Sequence, residues 1–184
     1  MKTFAEWRNQ QIVESDGFSD ENIFIANKTC RKTGGVGGKP ALVPRIVKDI
    51  AEPEHTILDF GAGTHAVHAQ DLRAAGLNVT AHDFGSNVIV GLHDPKALRR
   101  KYDIVYASNV LNVQNDDEML SKTLNQIAKA TKPKGRAILN LPIDPRKGAW
   151  VGTKDDLVKL QLELEKRYNI VERNGFVFYA FDPK

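Results

Sequence analysis

Apolar and polar positions follow a helical period from Ala41 and then alternate between helical and strand-like spacing up to the C-terminus. The stretch ALVPRIVKDIA sets Leu42, Val43, Ile46, Val47 and Ile50 on one helical face, and Pro44 is tolerated in the first turn. Thr56 to Leu58 form a short apolar, β-branched run that ends at Asp59 and a glycine turn, after which helical spacing resumes. LNVTAHD reads as a second strand, NVIVGL as a short third, and KYDIVYASNVLNV as a buried fourth. DDEMLSKTLNQIAKAT predicts an amphipathic helix stopped by LysProLysGly, and GRAILNLPI predicts a further strand. Strands that alternate with helices call for a doubly wound α/β fold, a mostly parallel sheet with helices on both faces.

The end of the chain breaks the alternation. After the helical stretch DDLVKLQLELEKR, YNIVER and FVFYAF flank Asn174 and Gly175, a pair that favours a tight hairpin, so the last strand is expected to run antiparallel. The beginning differs too: residues 1–40 carry polar stretches, the basic patch KTCRK and the run TGGVGGKP. The chain therefore divides into an N-terminal appendage or lid, 1–40, and a folded domain, 41–184. With 184 residues, 41% of them hydrophobic, it supports one substantial core. No apolar run reaches the length of a membrane span and the N-terminus is charged, which predicts a soluble, cytoplasmic protein without a membrane partner. Cys30 is the single cysteine, so no internal disulfide or cysteine zinc site can form. A net charge of +3 permits a polyanionic partner without requiring one.

In TILDFGAGTHAVHAQDL, at 56–72, Gly61, Gly63 and Ala66 have the G-x-G-x-x-G/A spacing of a Rossmann-type ligand turn. A dinucleotide fold would end in parallel strands and carry an apolar residue where Asp59 stands. A carboxylate at that position suits a ligand with an amine rather than a pyrophosphate. Together with HisAsp at 82–83, YDIVYASNVLNV at 102–113 and the antiparallel last strand, LeuAspPheGlyAlaGly at 58–63 makes residues 41–184 resemble a class I S-adenosylmethionine-dependent methyltransferase. The AsnValLeuAsnVal segment is also similar to that of small phage-encoded and DNA-phosphorothioation-associated methyltransferases.

The resemblance implies S-adenosyl-L-methionine as cofactor, and each position can be weighed for that ligand. Asp83, twenty residues beyond Gly63, is placed to read the ribose diol, and Asp59 to accept a hydrogen bond from the ammonium. Gly61 and Gly63 allow close backbone approach, while His65 stands where family members often have a third glycine. His65, His68, His82 and His93 cluster near the turn, but no carboxylate or cysteine stands at ligand spacing beside them, so a polar pocket rim is expected rather than a metal site. Asn109 and Asn112 follow the fourth predicted strand at the edge where such sheets bind ligands. Asn109 is the candidate for accepting a hydrogen bond from a substrate amine or lining the cofactor, and Asn112 for orienting it. Methyl transfer from a sulfonium asks for alignment rather than acid or base. The Asp/Asn-Pro-Pro-aromatic motif of amino-methylating DNA enzymes is absent, although AsnLeuProIle at 140–143 is distantly similar to it, and Cys30 lies outside the setting of a cytosine C5 nucleophile. Two classes remain: a methyltransferase acting on a small molecule, nucleotide or exposed nucleic-acid group, and a non-catalytic protein of the same fold that binds a nucleic acid or protein through its basic N-terminal segment.

Overall fold

The computed structural model describes residues 18–28, 35–36, 39–142 and 152–184. Its main sheet is built from Thr56–Phe60 (β1), Asn78–His82 (β2), Tyr102–Ala107 (β3), Thr131–Asn140 (β4), Tyr168–Asn174 (β5) and Val177–Pro183 (β6), in the order β2-β1-β3-β4-β6-β5. β1 pairs in parallel with β2 and β3, and β3 with β4, whereas β6 is antiparallel to both of its neighbours, as the hairpin predicted. From β1 the chain goes out to β2 and then crosses back over β1 to β3. The C-terminal ends of β1 and β3 thus border a point of topological reversal, the place where open α/β sheets bind ligands.

Strand parity divides the core into two layers. Ile57, Ile104, Tyr106 and Ile138 face helices Leu42–Ile50 (α2) and Val67–Ala74 (α3), which contribute buried Val43, Val47, Ala69 and Leu72. Leu58, Phe60, Val105 and Leu139 face Asp117–Ala130 (α4) and Lys154–Glu165 (α5), which contribute Leu120, Leu124, Ile127, Leu160 and Leu164. Both of these latter helices start on side-chain caps. Asp116 accepts from Met119 N at 2.7 Å, and Thr153 and Asp156 form a reciprocal capping box. An N-terminal helix, Asp20–Lys28 (α1), packs Ile23 with Phe18 and Met119. Gly35–Val36 and Lys39–Pro40 form a short antiparallel ladder. Cys30, Arg31, Lys32 and Gly34 of the basic, glycine-rich run lie outside the described residues. Among those described, no helix is long and apolar enough to cross a membrane.

Three local expectations are corrected. NVIVGL is no strand: it starts in a 3-10 turn at Gly85–Asn87, its ladder contact is the isolated bridge Val90↔His93, and Ile89 and Val90 are exposed while Leu92 packs against one core layer. LysProLysGly does not separate α4 from a later strand. β4 begins at Thr131 directly after α4, and the register jumps from Tyr102↔Thr131 to Ile104↔Arg136. Pro133, which has no N–H for the ladder, and Lys134, at φ +63°, sit in the resulting bulge. The hairpin turns on Gly175 and Phe176 rather than Asn174 and Gly175, because Asn174 still pairs with Val177 and the positive φ, +59°, falls on Gly175.

Candidate functional site

β1 runs straight into the glycine turn, which is folded onto the end of β2: Gly61 N and Ala62 N both donate to His82 O, at 2.9 and 3.0 Å. Gly61 has φ +75° and Gly63 φ +73°, the left-handed region that favours glycine. A Cβ on Gly61 would lie 2.6 Å from Val110 Cγ2, so the segment after β3 closes directly over the turn. Gly63 is gripped at both polar backbone atoms. Its N–H donates to Asp83 Oδ2 at 2.6 Å, and its carbonyl accepts from His93 Nε2 at 2.9 Å. His93 Nδ1 accepts from Ile89 N at 3.0 Å, which places the imidazole proton on Nε2.

Asp83 is 7% exposed, and its remaining oxygen is also engaged: Oδ1 accepts from Phe84 N at 2.7 Å and from Asn87 Nδ2 at 3.3 Å. Burial raises its pKa above the usual carboxylate range against the pull of these N–H donors. Asn87 is itself fully used, accepting from the Thr64 hydroxyl and donating to Asn27 Oδ1. Asn27 Nδ2 donates in turn to Phe84 O, so a carboxamide chain leads from α1 to the expected diol reader.

Asp59 differs in kind. It stands opposite Tyr106 in the β1–β3 register, is 2% exposed, and its Oδ2 has no hydrogen-bond partner among the described residues. Burial is the main cause that pushes its pKa up to about 7; the charge of Asp83 adds to it, and the nearby Tyr106 hydroxyl and Arg73 oppose it. The Tyr106 hydroxyl closes no hydrogen bond of normal geometry, and Ser108 Oγ is likewise buried without a partner. A buried carboxylate oxygen, a phenol and a hydroxyl thus lie unsatisfied at the C-terminal ends of neighbouring strands, where unpaired polar atoms are otherwise rare.

The two asparagines separate. Asn109 is exposed, adopts φ +58° and is bound to Asn140 at the end of β4, whereas Asn112 is 8% exposed in a 3-10 turn with its Oδ1 buried and unpartnered. His65 is exposed on the turn. His68 is half-buried on α3, and burial holds its pKa below the usual value. His82 packs edge-on against Phe84 with its Nε2 unpartnered. Among the described residues no group of three or more His, Cys, Asp or Glu could hold a metal ion. The sequence places His93 near the turn without revealing it as a clamp, and it does not single out Asn87, Asn140 or Tyr106 as parts of the site. The parity of Tyr106 with Asp59 in adjacent parallel strands is the signal that could have found the last.

A methyltransferase-domain family model matches residues 38–183. The chain belongs to that family. Methyltransferase structures share its fold at low identity. The TehB-like S-adenosylmethionine-dependent methyltransferase of Corynebacterium glutamicum is 17% identical, with a TM-score of 0.58 over 80% of this chain and 90% of that one. The magnesium protoporphyrin IX methyltransferase of Synechocystis, solved with S-adenosylmethionine, is 18% identical, with a TM-score of 0.54 over 98% and 92%. A Bacteroides fragilis methyltransferase in complex with S-adenosylhomocysteine is 16% identical, with a TM-score of 0.53 over 77% of each chain. No curated protein matches the chain in sequence. To an S-adenosylmethionine cofactor this methyltransferase domain offers a glycine turn, an orphaned carboxylate oxygen on Asp59 that suits an ammonium, and the Asp83 carboxylate at the end of β2 for a diol. These groups fit the ligand.

Proposed function

We propose that the protein transfers the methyl group of S-adenosylmethionine to a small molecule, a nucleotide or an exposed group of a nucleic acid held beside Asn109. The observation that carries this reading is the buried, unpartnered Asp59 Oδ2 next to a glycine turn whose second glycine is bonded to Asp83. When bound, the cofactor supplies a methyl group already activated on a sulfonium, and the protein's task is to align and desolvate. Asp59 holds the ammonium and regains the partner it lacks. Asp83 accepts from the ribose hydroxyls, exchanging the long 3.3 Å bond from Asn87 for them. Gly61 and Gly63 present backbone to the ligand, and His65 stands at the rim. Val110, on the turn, excludes water from the acceptor side.

Residues 1–40 act as a lid in this reading, supported by the attachment of α1 to Asp83 through Asn27 and Asn87. The finer kinship with small phage-encoded and phosphorothioation-associated methyltransferases rests on the AsnValLeuAsnVal segment. Purified protein incubated with methyl-labelled S-adenosylmethionine and fractionated cell extract is expected to label one fraction. Cofactor binding without label in any fraction would leave the non-catalytic reading, in which the basic N-terminal segment engages a nucleic acid or protein partner.

A further inference from the structure

Asn109 and Asn140 bind each other at two points. Asn109 N–H donates to Asn140 Oδ1 at 2.7 Å, and Asn140 Nδ2 donates to Asn109 Oδ1 at 2.8 Å. The backbone N–H settles which way both carboxamides point. It can only donate, so the Asn140 atom it meets is the oxygen, and the nitrogen of that amide then faces Asn109, whose contact atom must in turn be an oxygen. The Asn109 Nδ2 is left turned away from Asn140, and among the described residues no hydrogen bond to a protein acceptor uses it. Asn109 is exposed, and Val110, the next residue, lies against Gly61, so the exposed carboxamide belongs to the residue that adjoins the cover of the glycine turn. Asn140, 4% exposed at the end of β4, keeps Asn109 in its left-handed backbone conformation.

Resting on the function proposed above, we infer that Asn140 is a positioning residue that sets Asn109 as a hydrogen-bond donor toward the methyl acceptor, and that the acceptor presents an oxygen lone pair, of a carbonyl, carboxylate or phosphate, beside the atom that is methylated. This reverses the role that the sequence suggests for Asn109, accepting from a substrate amine.

Asn140→Asp inverts the arrangement. One oxygen of the substituted carboxylate still accepts from Asn109 N–H, but the other forces Asn109 to turn its own nitrogen inward and its oxygen outward. Asn109→Asp, at an exposed position where aspartate tolerates positive φ, replaces the outward donor by an acceptor without touching the buried residue. The test is a protein-observed NMR titration of the full chain with sodium formate and with methylammonium chloride at matched ionic strength, with and without S-adenosylhomocysteine. In the native protein, formate is expected to shift the Asn109 side-chain amide and the Val110 backbone amide, and methylammonium to leave them in place. In Asn140→Asp the Val110 amide is expected to respond to methylammonium instead. Asn109→Asp is expected to lose the formate response even if the buried variant does not fold. A native response to methylammonium rather than formate, a response to neither, or a formate response that survives in Asn109→Asp would overturn the inference. Failure of S-adenosylhomocysteine to bind in the same samples would instead count against the methyltransferase reading.

Discussion

Asp59→Asn is expected to unfold at the same temperature as the native protein near pH 4 and at a temperature roughly 5 to 15 °C higher at pH 8. Asp59 has its folded pKa raised from 3.8 to about 7, so its contribution to stability is fully present below the unfolded value and is lost as pH rises through the folded one. A rise of that size corresponds to about 4 kcal/mol at pH 8, where the native chain must either bury an unpaired charge or hold a proton against the solution. The asparagine has neither burden. Thermal unfolding followed across pH 4 to 8 measures it; parallel curves for the two proteins would show that Asp59 is not a strained buried acid. The same substitution removes the charge proposed for the ammonium, so it is expected to weaken S-adenosylhomocysteine while leaving adenosine, which has no amino-acid portion, bound as before. A carboxylate kept at a stability cost and gained back on ligand binding is the usual signature of a functional site.

Asp83→Ala is expected to fail in the complementary way. It leaves the N–H groups of Gly63 and Phe84, held at 2.6 and 2.7 Å in the native protein, without their acceptor. Each unsatisfied donor costs about 1 to 3 kcal/mol, so the variant should be less stable than the native protein; because burial raises the folded pKa of Asp83, the deficit should be largest in acid, below the unfolded carboxylate value, and shrink as pH rises. Its affinity for adenosine and for S-adenosylhomocysteine should fall together, by about 1 to 3 kcal/mol, because both carry the ribose diol. Calorimetry on the folded variant checks this. Unchanged adenosine binding would move the diol reader elsewhere and leave Asp83 as a structural anchor of the turn.

The two aspartates show how far the sequence can be read. The strand-helix alternation, the glycine spacing and the terminal hairpin are visible in local pattern, because each depends on residue type at short range. So is Asp83, at a fixed distance from Gly63. The engagement of Asp83 with the turn itself is not legible, nor is the clamp from His93, because both arise from the loop after β2 folding back across the turn. That loop reads as a strand from its apolar content, and only the tertiary structure reveals that Ile89 and Val90 lie at the surface. Asn140 stands out in sequence only within AsnLeuProIle, a distant motif likeness. Its pairing with Asn109 joins residues 31 apart on adjacent strand ends, a relation that periodicity cannot register. Val110 over Gly61 is a further case: ligand approach explains the glycine from sequence, whereas the packing of a β-branched side chain already requires it.

In the proposed function the glycine turn, with Asp59 and Asp83, holds S-adenosylmethionine through its ammonium and its ribose. The most direct measurement is a calorimetric titration with S-adenosylhomocysteine and with NAD at pH 6, repeated in two buffers of different ionisation enthalpy. At that pH Asp59, with its pKa near 7, is mostly protonated in the free protein, and an incoming ammonium favours its ionised form. S-adenosylhomocysteine is expected to bind more tightly than NAD, and its binding to release close to one proton at pH 6, falling toward none above pH 8. Tighter binding of NAD, or S-adenosylhomocysteine binding with no proton released at pH 6, would contradict the proposed function.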